Sequence, residues 1–230
     1  LRIRGLETDD NLNTYILLES YGSVDVNPDP LQYDYYGSQN FQSSLISIDN
    51  NGNLRWKYFL FKNTGGVYSR GLSMSDNRLF LDMGQWGGSS VDINPNDTLN
   101  PILFSGGGSD DVQVFIALDK NNGYVLDHVP YNTTVFENGR FYPKKSFLKD
   151  GSVIVFGTIH DNDVYLDKAQ SILASETYNS LLIEYDTSLN YINHRVLQTT
   201  DDSNCEYNLE LSGEGDPVLS YFNYNLNNPA

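Results

Sequence analysis

Two short segments of the chain place side-chain oxygens at every second position, as a calcium-binding loop does at its start. The two sets are Asp25, Asn27 and Asp29, and Asp92, Asn94 and Asn96. Carboxylate and amide oxygens are the hard ligands that Ca²⁺ prefers in proteins. The sequence therefore offers two candidate calcium sites, and Ca²⁺ is the one cofactor that it suggests.

The same residues have a second interpretation, as builders of turns. An EF-hand loop needs Gly at its sixth position and Glu at its twelfth, but the first segment has Pro30 and Tyr36 there. The second segment has Asp97 and Leu103 at those positions. Asp and Asn side chains also accept hydrogen bonds from the backbone two residues further on, which closes an Asx turn. We favour turns over a metal for both segments.

The two segments are copies of one string. Residues 22–28 read Gly-Ser-Val-Asp-Val-Asn-Pro, residues 89–95 read Ser-Ser-Val-Asp-Ile-Asn-Pro, and their Asp residues are 67 positions apart. A second pattern recurs at 45–59, 115–126 and 181–192: an apolar strand, an Asp, a tight turn and another strand. This spacing predicts one supersecondary unit that is repeated along the chain.

Each unit reads as strands A and B, a long loop, and strands C and D joined by the tight turn. We expect an all-β fold, a β-propeller of four-stranded antiparallel blades with about three and a half blades present. The expected blades, within a single propeller or part of one, are residues 1–64, 65–134, 135–200 and the partial unit 201–230. A β-sandwich of two duplicated halves is the alternative, and Asp163–Ser175 is the best candidate for a short helix.

The Val-Asp-x-Asn-Pro string, the glycines Gly106–Gly108 and the hairpin containing Gly52 and Trp56 resemble the SBBP-type propeller repeats of secreted Bacteroidota proteins. The resemblance covers residues 1–128 well and 140–224 loosely, and the third unit lacks the string. It implies export by the type IX secretion system to the cell surface or the extracellular space. It also implies a role in adhesion or in assembly of an outer-membrane-associated complex.

The composition excludes several partners. The net charge is −16, from 30 acidic and 14 basic residues, which argues against nucleic acid and against an anionic membrane surface. No apolar run approaches the ~20 residues that span a bilayer, so no direct membrane insertion is expected. No signal peptide is visible at the start and the first residue is not Met, which predicts a mature or partial product.

No catalytic residue is assigned from the sequence. There is no Gly-x-Ser-x-Gly elbow and no phosphate-binding loop, and His128, His160 and His194 are scattered. Carboxylates are abundant, so an acidic pair in a central funnel that hydrolyses glycosides stays an alternative. We expect a non-enzymatic module.

Aromatic side chains are the best candidates for binding. Tyr33, Tyr35 and Tyr36 lie in the first B–C loop, and Trp86 lies in the second unit. Tyrosine and tryptophan rings combine apolar area with a polar group, which suits both protein and sugar contacts. We therefore expect a propeller that presents its B–C loops to a protein partner, with a surface glycan as the alternative ligand.

Overall fold

The computed structural model describes residues 1–36, 41–59, 66–85, 90–105, 112–131, 140–160, 164–167, 172–173, 179–198, 205–212 and 217–223. Every regular element in these ranges is a β-strand, and every strand pairing is antiparallel. The prediction of an all-β fold is confirmed. The predicted helix in Asp163–Ser175 is wrong where that segment is described, because two short strands pair there.

The strands follow the expected unit order along the chain. They are β1 (Arg2–Thr8), β2 (Thr14–Tyr21), β3 (Val24–Asp25), β4 (Tyr35–Tyr36), β5 (Phe41–Ile48), β6 (Leu54–Phe59), β7 (Val67–Met74), β8 (Arg78–Gln85), β9 (Ser90–Asp92), β10 (Leu103–Ser105), β11 (Val112–Asp119), β12 (Val125–Pro130), β13 (Arg140–Lys149), β14 (Ser152–His160), β15 (Val164–Tyr165), β16 (Ile172–Leu173), β17 (Asn179–Asp186), β18 (Tyr191–Gln198), β19 (Cys205–Leu211) and β20 (Pro217–Asn223).

Three four-stranded sheets account for most of these strands. Sheet 1 has the order β1-β2-β5-β6, sheet 2 the order β7-β8-β11-β12 and sheet 3 the order β13-β14-β17-β18. Strands β19 and β20 form a separate two-stranded hairpin. The remaining strands form three short ribbons, β3–β4, β9–β10 and β15–β16, one between the second and third strands of each sheet. The expected boundaries near residues 64, 134 and 200 fall between the sheets.

The turns between the last two strands of each sheet are built alike. Asp49 accepts backbone hydrogen bonds from Asn51 and Asn53 in sheet 1, at 2.9 and 2.7 Å. Gly52 and Gly123 adopt positive φ values of 87° and 73° in the first two of these turns. A glycine tolerates this conformation because it has no Cβ to clash.

The third turn reaches the same shape without glycine. Leu189 takes a φ of 55° there and is fully buried in the apolar core. The left-handed conformation costs a residue with a side chain about 1–2 kcal/mol. Burial of a leucine contributes about 1.5–3 kcal/mol, which offsets that cost.

The sheets pack face to face in chain order. Side chains alternate between the two faces of a strand, so sheet 2 meets sheet 1 through one face and sheet 3 through the other, and sheets 1 and 3 have the corresponding two faces. We call these the leading face and the trailing face. The trailing face of sheet 1 (Tyr15, Leu17, Leu45 and Tyr58) packs in one cluster with the leading face of sheet 2 (including Leu72, Leu81 and Ile116). The trailing face of sheet 2 packs in the same way on sheet 3.

The first strands of the sheets lie beside one another, with β7 in contact with both β1 and β13. Each first strand carries a register shift at the same level, at Arg4, at Arg70–Gly71 and at Lys144. A β-bulge bends a strand locally, which lets neighbouring first strands approach. A Cβ on Gly5 would lie 2.7 Å from the Cβ of Leu72, so this approach requires glycine.

Candidate functional site

The loop at residues 24–36 is anchored on the leading face of sheet 1. Its two ends pair as β3 and β4, with Val24 opposite Tyr36 and Asp25 opposite Tyr35. Val26 is buried and packs with Leu18 of β2 and Ile46 of β5. The apolar residues of the string therefore hold the loop on the sheet.

Three consecutive Asx turns brace this loop. The Asp25 Oδ1 accepts hydrogen bonds from the backbone N–H groups of Asn27 and Asp34, at 3.1 and 3.0 Å. Asn27 Oδ1 accepts from the N–H of Asp29 at 3.0 Å, and Asp29 Oδ1 accepts from Leu31 at 2.9 Å. An ion pair between Lys57 and Asp34 ties the far side of the loop to β6.

The second copy of the string repeats the hydrogen bonds of its Asp, but its two Asn residues bind other partners. Asp92 Oδ1 accepts from the N–H groups of Asn94 and Ile102, both at 2.9 Å. Asn94 Oδ1 accepts from the N–H of Val125 at 3.0 Å, which ties this loop to β12. The Asn96 amide donates to the Asn122 carbonyl at 3.3 Å, in the turn between β11 and β12.

These hydrogen bonds confirm Asx turns at Asp25, Asn27, Asp29 and Asp92, whereas the side chains of Asn94 and Asn96 bind residues far away in the sequence. In five of the six candidate ligands a side-chain oxygen accepts a hydrogen bond from a backbone N–H. The sixth, Asn96, donates a hydrogen bond through its amide nitrogen. In the described parts of the chain, no group of three or more His, Cys, Asp or Glu is placed to hold a metal. Calcium binding at residues 25–29 and 92–96 stays a prediction.

Two tyrosines of the first loop form an exposed pair. The rings of Tyr33 and Tyr35 are nearly parallel, with an angle of 8° between planes and 5.8 Å between centroids. They are 69% and 68% exposed, and Leu31 of the same loop is exposed as well. We call Leu31, Tyr33 and Tyr35 the tyrosine patch. The side chain of Tyr36 and all of Trp86 lie outside the described residues.

A polar cavity of about 650 Å³ lies where the first turns of the three sheets meet. Its charged lining residues are Asp9, Asp10, Asp76, Arg78 and Lys120. This convergence could not be predicted from the sequence, because the stacking of the sheets brings these turns together.

The hydrogen bonds of the Asp9 carboxylate lie within its own turn and the strand that follows it. Its carboxylate accepts hydrogen bonds from the backbone N–H groups of Asn11 and Asn13, from the Asn13 amide and from the Tyr15 hydroxyl. Burial alone would raise the pKa of Asp9, but these hydrogen bonds outweigh it and hold the pKa below its usual value. The Lys120 ammonium lies 3.8 Å away, on the neighbouring sheet. Asp9 therefore braces the turn as a carboxylate and is unsuited to act as a general acid.

A second cavity of about 540 Å³ runs along the first strands. It is lined by Arg4, Glu7 and Lys145, among other residues. Burial raises the pKa of the Glu7 carboxyl above its usual value. The raised pKa of Glu7 favours proton donation, and its pattern in the sequence did not distinguish it.

Trp56 has a structural role. Its ring lies 6.0 Å from that of Tyr15, between the centroids, and its indole N–H donates to the Lys120 carbonyl at 3.0 Å. Trp56 is partly buried and packs against the apolar cluster between sheets 1 and 2. It joins sheet 1 to the last turn of sheet 2.

No known protein-family model matches the chain, and no curated protein matches it. Within the described ranges, no helix is long and apolar enough to cross a membrane.

Proposed function

We propose that the chain is an interaction module of the β-propeller type that acts outside the cell and binds a protein partner through the tyrosine patch. The face-to-face stack of sheets with one strand order, and first strands side by side, supports successive propeller blades. The resemblance to SBBP-type repeats supports export and a place in a surface or outer-membrane-associated assembly.

The stacked pair Tyr33–Tyr35 is the observation that carries this proposal. Tyrosine offers a large contact area with few rotatable bonds, so little conformational entropy is lost when it binds. The Asx turns at Asp25, Asn27 and Asp29 fix the loop before a partner arrives, which reduces the ordering cost further. Exposed aromatic anchors on a rigid loop are typical of binding hot spots.

Deletion of residues 26–42 is a poor test of this role. It would remove Val26, which is buried under the loop, and Gln42, whose buried amide donates to Ser20 and to the Gly22 carbonyl. Such a variant would lose stability whether or not the loop binds a partner. Substitutions at the exposed rings avoid this difficulty.

The test uses Tyr33→Ser/Tyr35→Ser, with Leu99→Ser as the matched control. Leu99 lies in the equivalent loop of sheet 2 and is 88% exposed. Each immobilised chain is incubated with cell-surface proteins of the source organism, and retained proteins are quantified by mass spectrometry. We expect one partner to be retained by the wild type and the control, and to be reduced about tenfold or more in the double variant. Equal retention by all three chains would contradict the proposal.

A glycan is the second candidate ligand, because parallel tyrosine rings can stack on the apolar face of a sugar. A glycan array probed with the wild type and with Tyr33→Ser/Tyr35→Ser separates the two possibilities. Sugar hits that disappear in the double variant would support glycan binding. An array without hits, together with a retained protein, would support the protein partner.

A further inference from the structure

The turns between the last two strands of sheets 1 and 2 both contain an asparagine followed by a glycine. The pairs are Asn51 with Gly52, between β5 and β6, and Asn122 with Gly123, between β11 and β12. Such an asparagine is chemically labile, because glycine has no Cβ that would keep its backbone nitrogen away from the side-chain amide. A third pair, at 138–139, lies outside the described residues. The first two pairs place the same dipeptide in different surroundings.

The first pair is open to solvent. Asn51 and Gly52 are both exposed, and apart from its chain neighbours no atom would lie within 4 Å of a Cβ built on Gly52. The Gly52 N–H donates to the Asp49 carbonyl at 3.0 Å, and this hydrogen bond must open before the nitrogen can react. Few contacts hold an exposed turn, so its local opening costs little free energy.

The second pair is held by neighbours from two other segments. Asn122 Oδ1 accepts a hydrogen bond from the Tyr124 N–H at 2.9 Å, and the Asn122 carbonyl accepts one from the Asn96 amide at 3.3 Å. Gly123 is buried, and a Cβ on it would lie 2.9 Å from Cε3 of the Trp56 ring. The Asn122 side chain must leave Tyr124 before it can reach the glycine nitrogen. Opening of this turn must also separate Gly123 from Trp56.

We propose that Asn51 is a site of spontaneous deamidation in the folded chain, and that the contacts of Asn96 and Trp56 protect Asn122 from the same reaction. The Gly52 nitrogen bonds to the Asn51 Cγ and loses its proton, while the side-chain nitrogen takes up a proton and leaves as ammonia. One water molecule then opens the resulting succinimide at either of its carbonyl carbons. The product at position 51 is aspartate or isoaspartate, and no oxidant, reductant or cofactor takes part.

Deamidation changes both the charge and the backbone of the turn. Hydrogen bonds from Asn53 and, to a smaller extent, from Asn51 hold the pKa of the Asp49 carboxyl below its usual value. A carboxylate at position 51 replaces one of these donors with a like charge. Isoaspartate also lengthens the backbone by a methylene group. We therefore expect the reaction to weaken the turn that joins β5 to β6.

Incubation of the full chain in a mildly alkaline buffer made with heavy-oxygen water tests the proposal. The water that opens the succinimide leaves its oxygen in the product, so mass spectrometry of peptides separates this reaction from deamidation during digestion. We expect Asn51 to convert about tenfold or more faster than Asn122, because Asn122 reacts only after a larger local opening. Equal conversion at the two positions in the folded chain would overturn the proposal.

Two controls separate the effect of the fold from that of the local sequence. In guanidinium chloride Asn51 and Asn122 should convert at similar rates, because each follows an asparagine and precedes a glycine. A difference in rate as large in the denaturant as in the folded chain would contradict protection by the fold. Asn51→Gln should lose most of the labelled product of this turn, because the longer side chain forms a ring more slowly. Undiminished label in that peptide would contradict the assignment to Asn51.

Discussion

Asp9 shows how one carboxylate supports a turn between strands. Four hydrogen bonds reach its two oxygens from the turn and from Tyr15 of β2. Hydrogen bonds to a charged group are worth about 1.5–3 kcal/mol each when the group is removed, although they do not add simply. The carboxylate is therefore an important contributor to the stability of the turn.

Asp9→Asn should lower the free energy of unfolding by about 1–3 kcal/mol at pH 7. The folded-state pKa of Asp9 is lowered from 3.8, so its contribution is fully present above that pH. It is lost as the pH falls through the lowered folded-state pKa, where the two proteins should converge. Urea unfolding at pH 7 and at low pH measures both effects, and a pH-independent difference would contradict the assignment. Asp10→Asn, in the same turn, is the control.

The loops between the second and third strands are the elements most closely tied to the repeated string. Each is held by an Asp that spans it, since Asp25 accepts from Asp34 and Asp92 accepts from Ile102. The second loop is also joined to β12 through Asn94 and Val125. The first has an ion pair with β6 instead. Both loops are thus fixed to the outer strands of their sheets.

A chelator should leave the melting temperature unchanged, because backbone N–H groups already occupy the side-chain oxygens of these loops. Asp92→Ala should lower the free energy of unfolding by about 1–3 kcal/mol, with or without chelator, because two backbone N–H groups lose their acceptor. Differential scanning calorimetry with and without EDTA measures both. A lower melting temperature in EDTA, abolished by Asp92→Ala, would instead support calcium binding.

Local chemistry explains why the elements could be predicted from the sequence. The Asp and Gly residues of the hairpin turns, such as Asp49 and Gly52, act on neighbours within four positions, so the pattern is visible in the chain. Leu189 could not be predicted in a left-handed conformation, because the sheet stack that buries it is far away in sequence. The cavity at Asp9 and Lys120 was missed for the same reason.

At the scale of the whole molecule, the sheets differ in how completely they are covered. Sheet 2 contributes to one apolar cluster with sheet 1 and to another with sheet 3, whereas the leading face of sheet 1 is partly open. Stability against local opening rises with buried apolar contacts and with hydrogen bonds on both sides of a strand. Sheet 2 is therefore the structural centre of the described chain.

Native-state hydrogen exchange should show the slowest amides in β8 and β11, which pair on both sides within sheet 2. Strands β6 and β18, at the outer edges of sheets 1 and 3, should exchange faster by sub-global opening. Mass spectrometry of exchanged peptides resolves these segments. Protection of β6 equal to that of β8 would contradict this order of stability.

Because successive sheet faces are equivalent, the number of units in such a chain can change during evolution. The contact of Gly5 with Leu72 occupies the same place in the stack as the contact of Gly71 with Ser146. A duplicated unit inserted after sheet 1 would meet a compatible surface on each side and would need no new complementary substitutions. Gene duplication can therefore change the number of units in one step, while a change to a single face must be matched by its neighbour.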